Sequence, residues 1–438
     1  MRHSAGRVRI ELDRGGKRMQ KIKEKRLYAA AAWILALACA LPLLLHAFCG
    51  QASGAPAAEA ARLFRRGDRE MRGLWIATVY GLDFPSAAGL SAKTLAEELD
   101  GIVAFAKASG FNTICFQARP AADALYRSEV FPASVFVSGV AGQPPDGGFD
   151  CLAYLVGRAH REEIAVYAWV NPLRAGTGSP AQPFDRAALA ENSPAALHPE
   201  WTVAYADGKL YFNAGIPAVR ALVADGVREI CKNYAVDGVI FDDYFYPAPM
   251  GDTPFDDAAA FAAYGGDFAN VGDFRRDAVN KLVELCYDTV KAVDDKIRFG
   301  VSPRGIWKNL SDAVGGRATR GAEAYSEIYC DALAWVRGGY VDFLAPQIYW
   351  SFEDPAAPFG TLADFWSRAL AGSGVDLYIG HGVYRYAEGD FPRGELTAQV
   401  LYARGLPACR GGLYYGCGAL RRNANGVADE IKVLFGEE

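Results

Sequence analysis

Asp237-Gly238-Val239-Ile240-Phe241-Asp242-Asp243-Tyr244-Phe245-Tyr246-Pro247 runs through four apolar residues and then delivers two adjacent carboxyls. Gly238–Phe241 has no polar side chain and no alternation, the pattern of a strand covered on both faces, as in parallel sheets packed beneath helices. The acids appear where that strand leaves the core. Two carboxyls held close repel, so one is expected to keep its proton towards neutral pH beside an ionised partner.

Outward from this stretch the chain repeats the same unit. Apolar runs at Gly73–Val79, Asn112–Gln117, Ile164–Val170, Ile297–Val301, Val341–Ala345, Asp376–Gly380 and Gly412–Tyr415 alternate with helical patterns. The helices are expected at Ser91–Ala108, Cys151–Arg161, Pro217–Asn233, Asp273–Val293, Ala324–Arg337, Thr361–Leu370, Leu396–Arg404 and Val427–Phe435, with Ser91 as an N-cap and Pro217 in a first turn. Eight strand–helix units predict an α/β fold of the (β/α)8 TIM-barrel type. An open doubly wound sheet is the alternative, but no Gly-x-Gly-x-x-Gly joins a strand to a helix. Two connections are long, Pro172–Ile216 and Tyr244–Gly272, and the first holds a hairpin signal around Asp207-Gly208. Both follow strands, so both belong to the face where barrel active sites form.

The N-terminal region is a different object. Residues 1–54 carry ten Lys/Arg against three acids, a balance of +7 that leaves −12 of the formal −5 on residues 55–438. So acidic a body repels phosphate backbones, and nucleic acid is not an expected partner. Leu27–Phe48 is free of charge and is followed by Ala52-Ser53-Gly54, a secretory leader pattern whose rival is an uncleaved membrane anchor. The expected organisation is a leader or anchor at 1–54, a linker at 55–67 and the barrel at 68–438, with the body outside the cytoplasm. Seven cysteines lie beyond the leader, mostly within apolar patterns and with no Cys-x-x-Cys, so buried free thiols are expected rather than a disulfide framework.

Polar and aromatic residues gather at the strand ends. Strand by strand they are Asp83; Gln117, Arg119 and Asp123; Asn171 and Arg174; Asp242, Asp243, Tyr244 and Tyr246; Arg304; Gln347, Tyr349 and Trp350; His381 and Tyr384. Aromatic plates stack on pyranose rings, while amides and guanidinium groups bond to hydroxyl or acetamido groups, so this set reads as a sugar-binding mouth. Asp242 and Asp243 are the expected catalytic pair, since glycosidic cleavage needs an acid and a charged partner. A metal held by Asp242, Asp243 and His381 is a weaker alternative; neither metal nor cofactor is expected.

Met71-Arg72-Gly73-Leu74-Trp75-Ile76-Ala77-Thr78-Val79, Phe116-Gln117-Ala118-Arg119-Pro120, Ala168-Trp169-Val170-Asn171-Pro172, Phe299-Gly300-Val301-Ser302-Pro303 and Ala345-Pro346-Gln347-Ile348-Tyr349-Trp350 join the opening stretch in a recognisable order. From about residue 68 to 435 the chain resembles the glycosyl-hydrolase-like family ten, exported bacterial barrels that include the enzyme acting on denuded peptidoglycan glycan strands. The resemblance implies a (β/α)8 glycosidase acting on a cell-wall or related glycan; separately, a monomer is expected. Two departures stand out: Phe84 where Trp is expected, and Arg304 where Phe or Tyr is commoner.

The mechanism expected from these residues is hydrolysis of a glycan containing N-acetylated amino sugars. Asp243 would protonate the leaving oxygen, and Asp242 would orient or stabilise the reacting centre. If the acetamido group attacks, no third carboxylate is required; otherwise Asp83 or Asp123 would be the partner. A non-catalytic glycan-binding barrel is the alternative, and a lyase or deacetylase a more distant one.

Overall fold

A computed structural model describes residues 70–311 and 318–436. The leader and linker lie outside the described residues. Among those described, no helix is long and apolar enough to cross a membrane.

Eight parallel strands close on themselves. They are β1 (Met71–Ile76), β2 (Thr113–Arg119), β3 (Ala165–Val170), β7 (Gly238–Phe241), β8 (Arg298–Val301), β9 (Phe343–Leu344), β10 (Asp376–Gly382) and β11 (Cys409–Tyr415), which pairs back onto β1. The (β/α)8 expectation holds, strand for strand. Between β3 and β7 a separate three-stranded sheet forms from β4 (Arg174–Gly176), β5 (Thr202–Ala204) and β6 (Leu210–Phe212). The β5–β6 pair is the antiparallel hairpin signalled by Asp207-Gly208. Gly208 has φ +81°, and a Cβ there would meet the Ser179 carbonyl oxygen at 2.0 Å, so only glycine closes this turn against the neighbouring loop.

Two cores follow from the two faces of the strands. Helix-facing residues such as Leu74, Ile114, Val166, Val239 and Phe299 form the large outer core. Inward-facing residues, among them Trp75, Cys115, Tyr167, Trp169, Ile240, Phe343 and Leu413, fill the barrel lumen. Side chains alternate along a strand, so the lumen row carries on upward: Cys115 leads to Gln117, Trp169 to Asn171 and Ile240 to Asp242. Asp243 falls on the opposite parity. The barrel thus aims one carboxyl into its own axis and the other towards its rim.

The helices match the expected spans closely, with Ser91 Oγ accepting from the Thr94 amide at 3.2 Å and Pro217 opening Pro217–Asn233. The strand expected at Val341–Ala345 is trimmed to Phe343–Leu344, β11 begins at Cys409 rather than Gly412, and two further differences have a visible cause. The helix expected at Ala324–Arg337 is broken into Ala324–Glu327 and Ala332–Gly338, because Tyr329 takes φ +57° and turns its ring onto Tyr246 and Arg275. Strand β1 stops at Ile76 rather than Val79, because Gln117 Oε1 captures the Thr78 and Val79 amides at 2.8 and 2.9 Å.

All seven body cysteines are free and buried, as the apolar patterns implied. Burial raises the thiol pKa of each.

Candidate active site

A cleft of about 370 Å³ opens at the C-terminal ends of the strands. Of the expected residues it is lined by Asp242, Asp243, Gln117, Arg174, Tyr244, Gln347, Tyr349 and Tyr384. Its remaining walls are Trp75, Val79, Tyr80, Leu82, Trp169, Thr177, Lys209 and Tyr415.

Asp242 sits at the floor, 3% exposed. Its Oδ2 accepts the Trp169 indole N–H at 2.9 Å and the Asn171 side-chain amide, and its Oδ1 accepts the Tyr244 amide at 3.3 Å. Burial pushes its pKa up to about 7; Arg174 opposes the shift, Asp243 adds to it, and the Trp169 and Tyr244 donors oppose it again. Burial is the larger effect because all three bonded donors are neutral, while the lumen below is apolar. Trp169 is itself braced by Trp75, edge to face at 4.7 Å.

Asp243 stands at the rim. Arg304 Nε donates to its Oδ2 at 3.2 Å and Gln347 Nε2 to its Oδ1 at 3.1 Å. The unusual Arg304 therefore acts through Asp243, and it is not part of the cleft wall. Sequence reasoning expected one carboxyl of the pair to keep its proton and gave that part to Asp243; the carboxyl that burial raises is Asp242.

Several expected sugar contacts serve the scaffold instead. Gln117 lines the cleft but spends both ends of its amide, holding Thr78 and Val79 and donating to Asn171 Oδ1 at 2.6 Å. Asn171 is fully buried and passes that ordering to Asp242. Arg119 lies beneath the cleft, 1% exposed, donating to the Asn171 and Pro172 carbonyls at 3.1 Å and resting on Phe131. Asp83 accepts the Ala77 and Gly418 amides, each at 2.9 Å, and tethers β1 to the last turn of the barrel. Asp123 faces a separate recess and accepts the Ser134 hydroxyl at 2.6 Å. Burial raises the pKa of both acids.

Tyr246 packs edge-on against Phe255 and Tyr329, over the buried Arg275–Asp257 pair that organises the loop after β7. Trp350 packs against the outer core beside Gly305. His381 is sandwiched between Tyr414 and Phe359 and bonds Gln399 through Nδ1 at 3.1 Å. Burial lowers the His381 pKa to about 4, and its ring takes no part in the cleft, which removes the third member of the metal set considered from sequence.

The residues missed were Trp75, Val79, Tyr80, Leu82, Trp169, Thr177, Lys209 and Tyr415. Trp75 and Trp169 read as core, and they are core; each also forms part of the cleft floor. Lys209 and Thr177 reach the cleft only because the β4–β5–β6 sheet folds over the barrel mouth.

A closed (β/α)8 barrel with two carboxyls at one strand end, walled by aromatic rings, is the architecture of a glycoside hydrolase. The comparisons with known proteins agree. Residues 70–390 match the model of the family described as glycosyl hydrolase-like 10. The chain is 36% identical over 370 residues to the glycosyl hydrolase YngK of Bacillus subtilis, covering 83% of this chain and 71% of that protein. It is 34% identical over 339 residues to the glycosyl hydrolase DigH of Escherichia coli K12, covering 74% and 75%. Among solved structures, the glycoside hydrolase domain of PgaB from Bordetella bronchiseptica shares the fold, with a TM-score of 0.51 at 14% identity over 83% of this chain and 98% of that one. The chain belongs to the glycosyl hydrolase-like 10 family, and it is an enzyme that hydrolyses O-glycosyl bonds of carbohydrates.

Proposed function

We propose that this enzyme is exported and cleaves a cell-wall glycan containing N-acetylated amino sugars, with Asp242 as proton donor and Asp243 as its charged partner. The observation that carries the chemistry is the split environment of the pair. Asp242 is buried over an apolar lumen and holds a proton towards neutral pH. Asp243 is tied to the Arg304 cation. A glycosidase needs a neutral acid beside a persistent negative charge, and burial against ion pairing supplies that asymmetry.

The substrate's own acetamido group is the proposed nucleophile. Among the described residues that line the cleft, Asp242 and Asp243 are the sole carboxyls. Asp83 and Asp123, the candidates for a distant third acid, are spent elsewhere. Asp243 would then hold the acetamido group as it attacks the anomeric carbon, while Asp242 protonates the departing oxygen. With both carboxyls adjacent at one strand end and none facing them across the cleft among the described residues, an amino sugar is the substrate class that brings its own nucleophile.

Digestion of bacterial wall glycan strands, with and without stem peptides, read by mass spectrometry, tests the substrate class. Shortened oligosaccharides are the expected products; intact strands in both arms would remove the wall glycan as substrate. Replacing N-acetyl by N-trifluoroacetyl should slow cleavage sharply, because fluorine withdraws electrons from the attacking oxygen. Equal rates would refute the acetamido nucleophile. Export rests on the charge-free Leu27–Phe48 run and is checked by the N-terminus of protein recovered from outside the cytoplasm.

A further inference from the structure

The recess that Asp123 faces adjoins the cleft across β4. Arg174 and Thr177 line the cleft, while Ala175, Gly176 and Thr177 line the recess, so the strand is the partition and Thr177 borders both. A second junction lies at Tyr80. Its ring lines the cleft and meets Phe136, a wall of the recess, edge to face at 5.6 Å. Tyr80 is 59% exposed and takes φ +56°, an unfavourable backbone for a bulky residue whose ring gains so little burial.

The recess holds about 60 Å³, twice the roughly 30 Å³ that a water takes up in the liquid. That admits a group of a few heavy atoms and no sugar ring. Its walls are mostly alanine and other apolar side chains, and among the described residues lining it Asp123 is the only charged one. Asp123 Oδ1 accepts the Ala121 amide at 3.1 Å, and Oδ2 the Ser134 hydroxyl at 2.6 Å. Burial raises its pKa, while both bonds and the Arg119 and Arg174 cations favour the charged form. A carboxylate offers about four acceptor sites, so these bonds leave half of them for a guest. Ser134 Oγ also accepts the Phe136 amide at 3.3 Å, which fixes the acceptor relative to the ring beside Tyr80.

One acceptor in a small apolar recess selects among the groups that a glycan carries. A hydroxyl supplies a donor but leaves the apolar walls unfilled, and an anionic group meets a carboxyl that its surroundings bias towards charge. A secondary amide with a methyl supplies both the N–H and the apolar end. We propose that the recess is a second amino-sugar subsite, taking the acetamido group of a sugar further along the same glycan, which reaches it from the cleft over Tyr80. Asp123 accepts the amide N–H and the methyl lies among the alanines. This deepens the reading of the cleft as an amino-sugar site and rests on it.

The test measures affinity against chain length. Calorimetry, with Asp242→Asn as the common background so that the glycans stay intact, compares chitin oligosaccharides from the disaccharide upward with the matching cello-oligosaccharides, which carry a hydroxyl in place of the acetamido group. Affinity for the chitin series should step up about 10-fold at the length that first reaches the recess, the order expected of one hydrogen bond and one buried methyl. The cello series should show no such step. Ala188 borders the recess from its solvent-exposed side, so Ala188→Phe fills the space without entering the core. It should remove the step and leave the shorter oligosaccharides bound as before, while Asp123→Asn and Tyr80→Ser should each shrink it. A step left intact by Ala188→Phe or by Asp123→Asn, or shared by the cello series, overturns the proposal. Short chitin oligosaccharides bound with no step at any length sink the recess and leave the amino-sugar reading of the cleft standing. Long ones bound while short ones are silent, with binding lost in Ala188→Phe, do the reverse, and no binding at any length overturns both.

Discussion

Asn171 donates its side-chain amide to Asp242 Oδ2, the oxygen that also receives the Trp169 indole N–H at 2.9 Å. Asn171 is in turn aligned by Gln117, whose other end grips the Thr78 and Val79 amides. Three successive strands thus fix one carboxyl, and the order runs from the backbone where β1 ends to the floor of the cleft. A carboxyl held this way loses little on reorganisation when substrate binds, as the proposed acid must.

The acid assignment predicts a pH–rate profile with a definite sign. Asp242 must be protonated to donate, so the rate should fall as pH rises through about 7. Asp242→Asn should lower kcat by ~10²–10⁴-fold while glycan binding persists. Asp243→Asn removes a neighbouring negative charge that raises the Asp242 pKa, so any residual activity should fade at lower pH than in the wild type. A basic limb that stays in place in Asp243→Asn would separate it from Asp242.

Asn171→Ala predicts the opposite displacement. Loss of a donor to the ionised carboxyl disfavours ionisation, so the basic limb should move to higher pH, with a fall in kcat from the loosened geometry. Melting temperature measured alongside distinguishes this from general unfolding. A limb that moves down, or remains where it was, would rule out the inferred coupling.

Stability should carry the mark of the same burial. The folded-state pKa of Asp242 is raised above its unfolded value of 3.8, so the folded state binds the proton more tightly. The associated stability is present below that unfolded value and is lost as pH rises to about 7, an effect on the order of a few kcal/mol. The melting temperature of the wild type should therefore fall between about pH 4 and pH 7, roughly the range over which the group titrates. Asp242→Asn should flatten that dependence and match or exceed the wild type at pH ~8. Parallel melting curves for the two proteins across this range would contradict the burial argument.

The loop after β7 depends on a buried ion pair. Arg275 and Asp257 are 10% and 3% exposed at their side chains and meet at 2.6 Å, with Tyr246, Phe255 and Tyr329 around the guanidinium. Asp257→Ala leaves that cation buried alone and should cost about 3–5 kcal/mol, read as a large drop in denaturant midpoint. A loss below ~1 kcal/mol would place the pair among weak surface bridges.

The seven buried cysteines should resist a thiol reagent in the native state and titrate fully after denaturation. Burial raises their pKa values and removes access together. Rapid labelling of several thiols without unfolding, or disulfides in the intact mass, would count against it.

Fold and chemistry separate cleanly in what the chain encodes locally. The eight apolar strand runs, their caps and the acids at Asp242 and Asp243 are short-range patterns, so the barrel and the strand that carries the candidate acids were legible without coordinates. Which carboxyl faces the lumen was not, because Gly238–Phe241 is apolar on both faces and offers no alternation to set the parity. Only closure of the barrel puts Ile240 and hence Asp242 inward, over a dry core, and Asp243 outward to Arg304 and Gln347. The same closure spends Asn171, Arg119 and His381 on neighbours distant in the chain, and folds the β4–β5–β6 sheet so that Arg174 and Lys209 wall the cleft. Local sequence determines where strands run and which residue types their ends carry. Burial, charge pairing and the division of labour among those ends depend on long-range packing, and that is a property of the folded barrel alone.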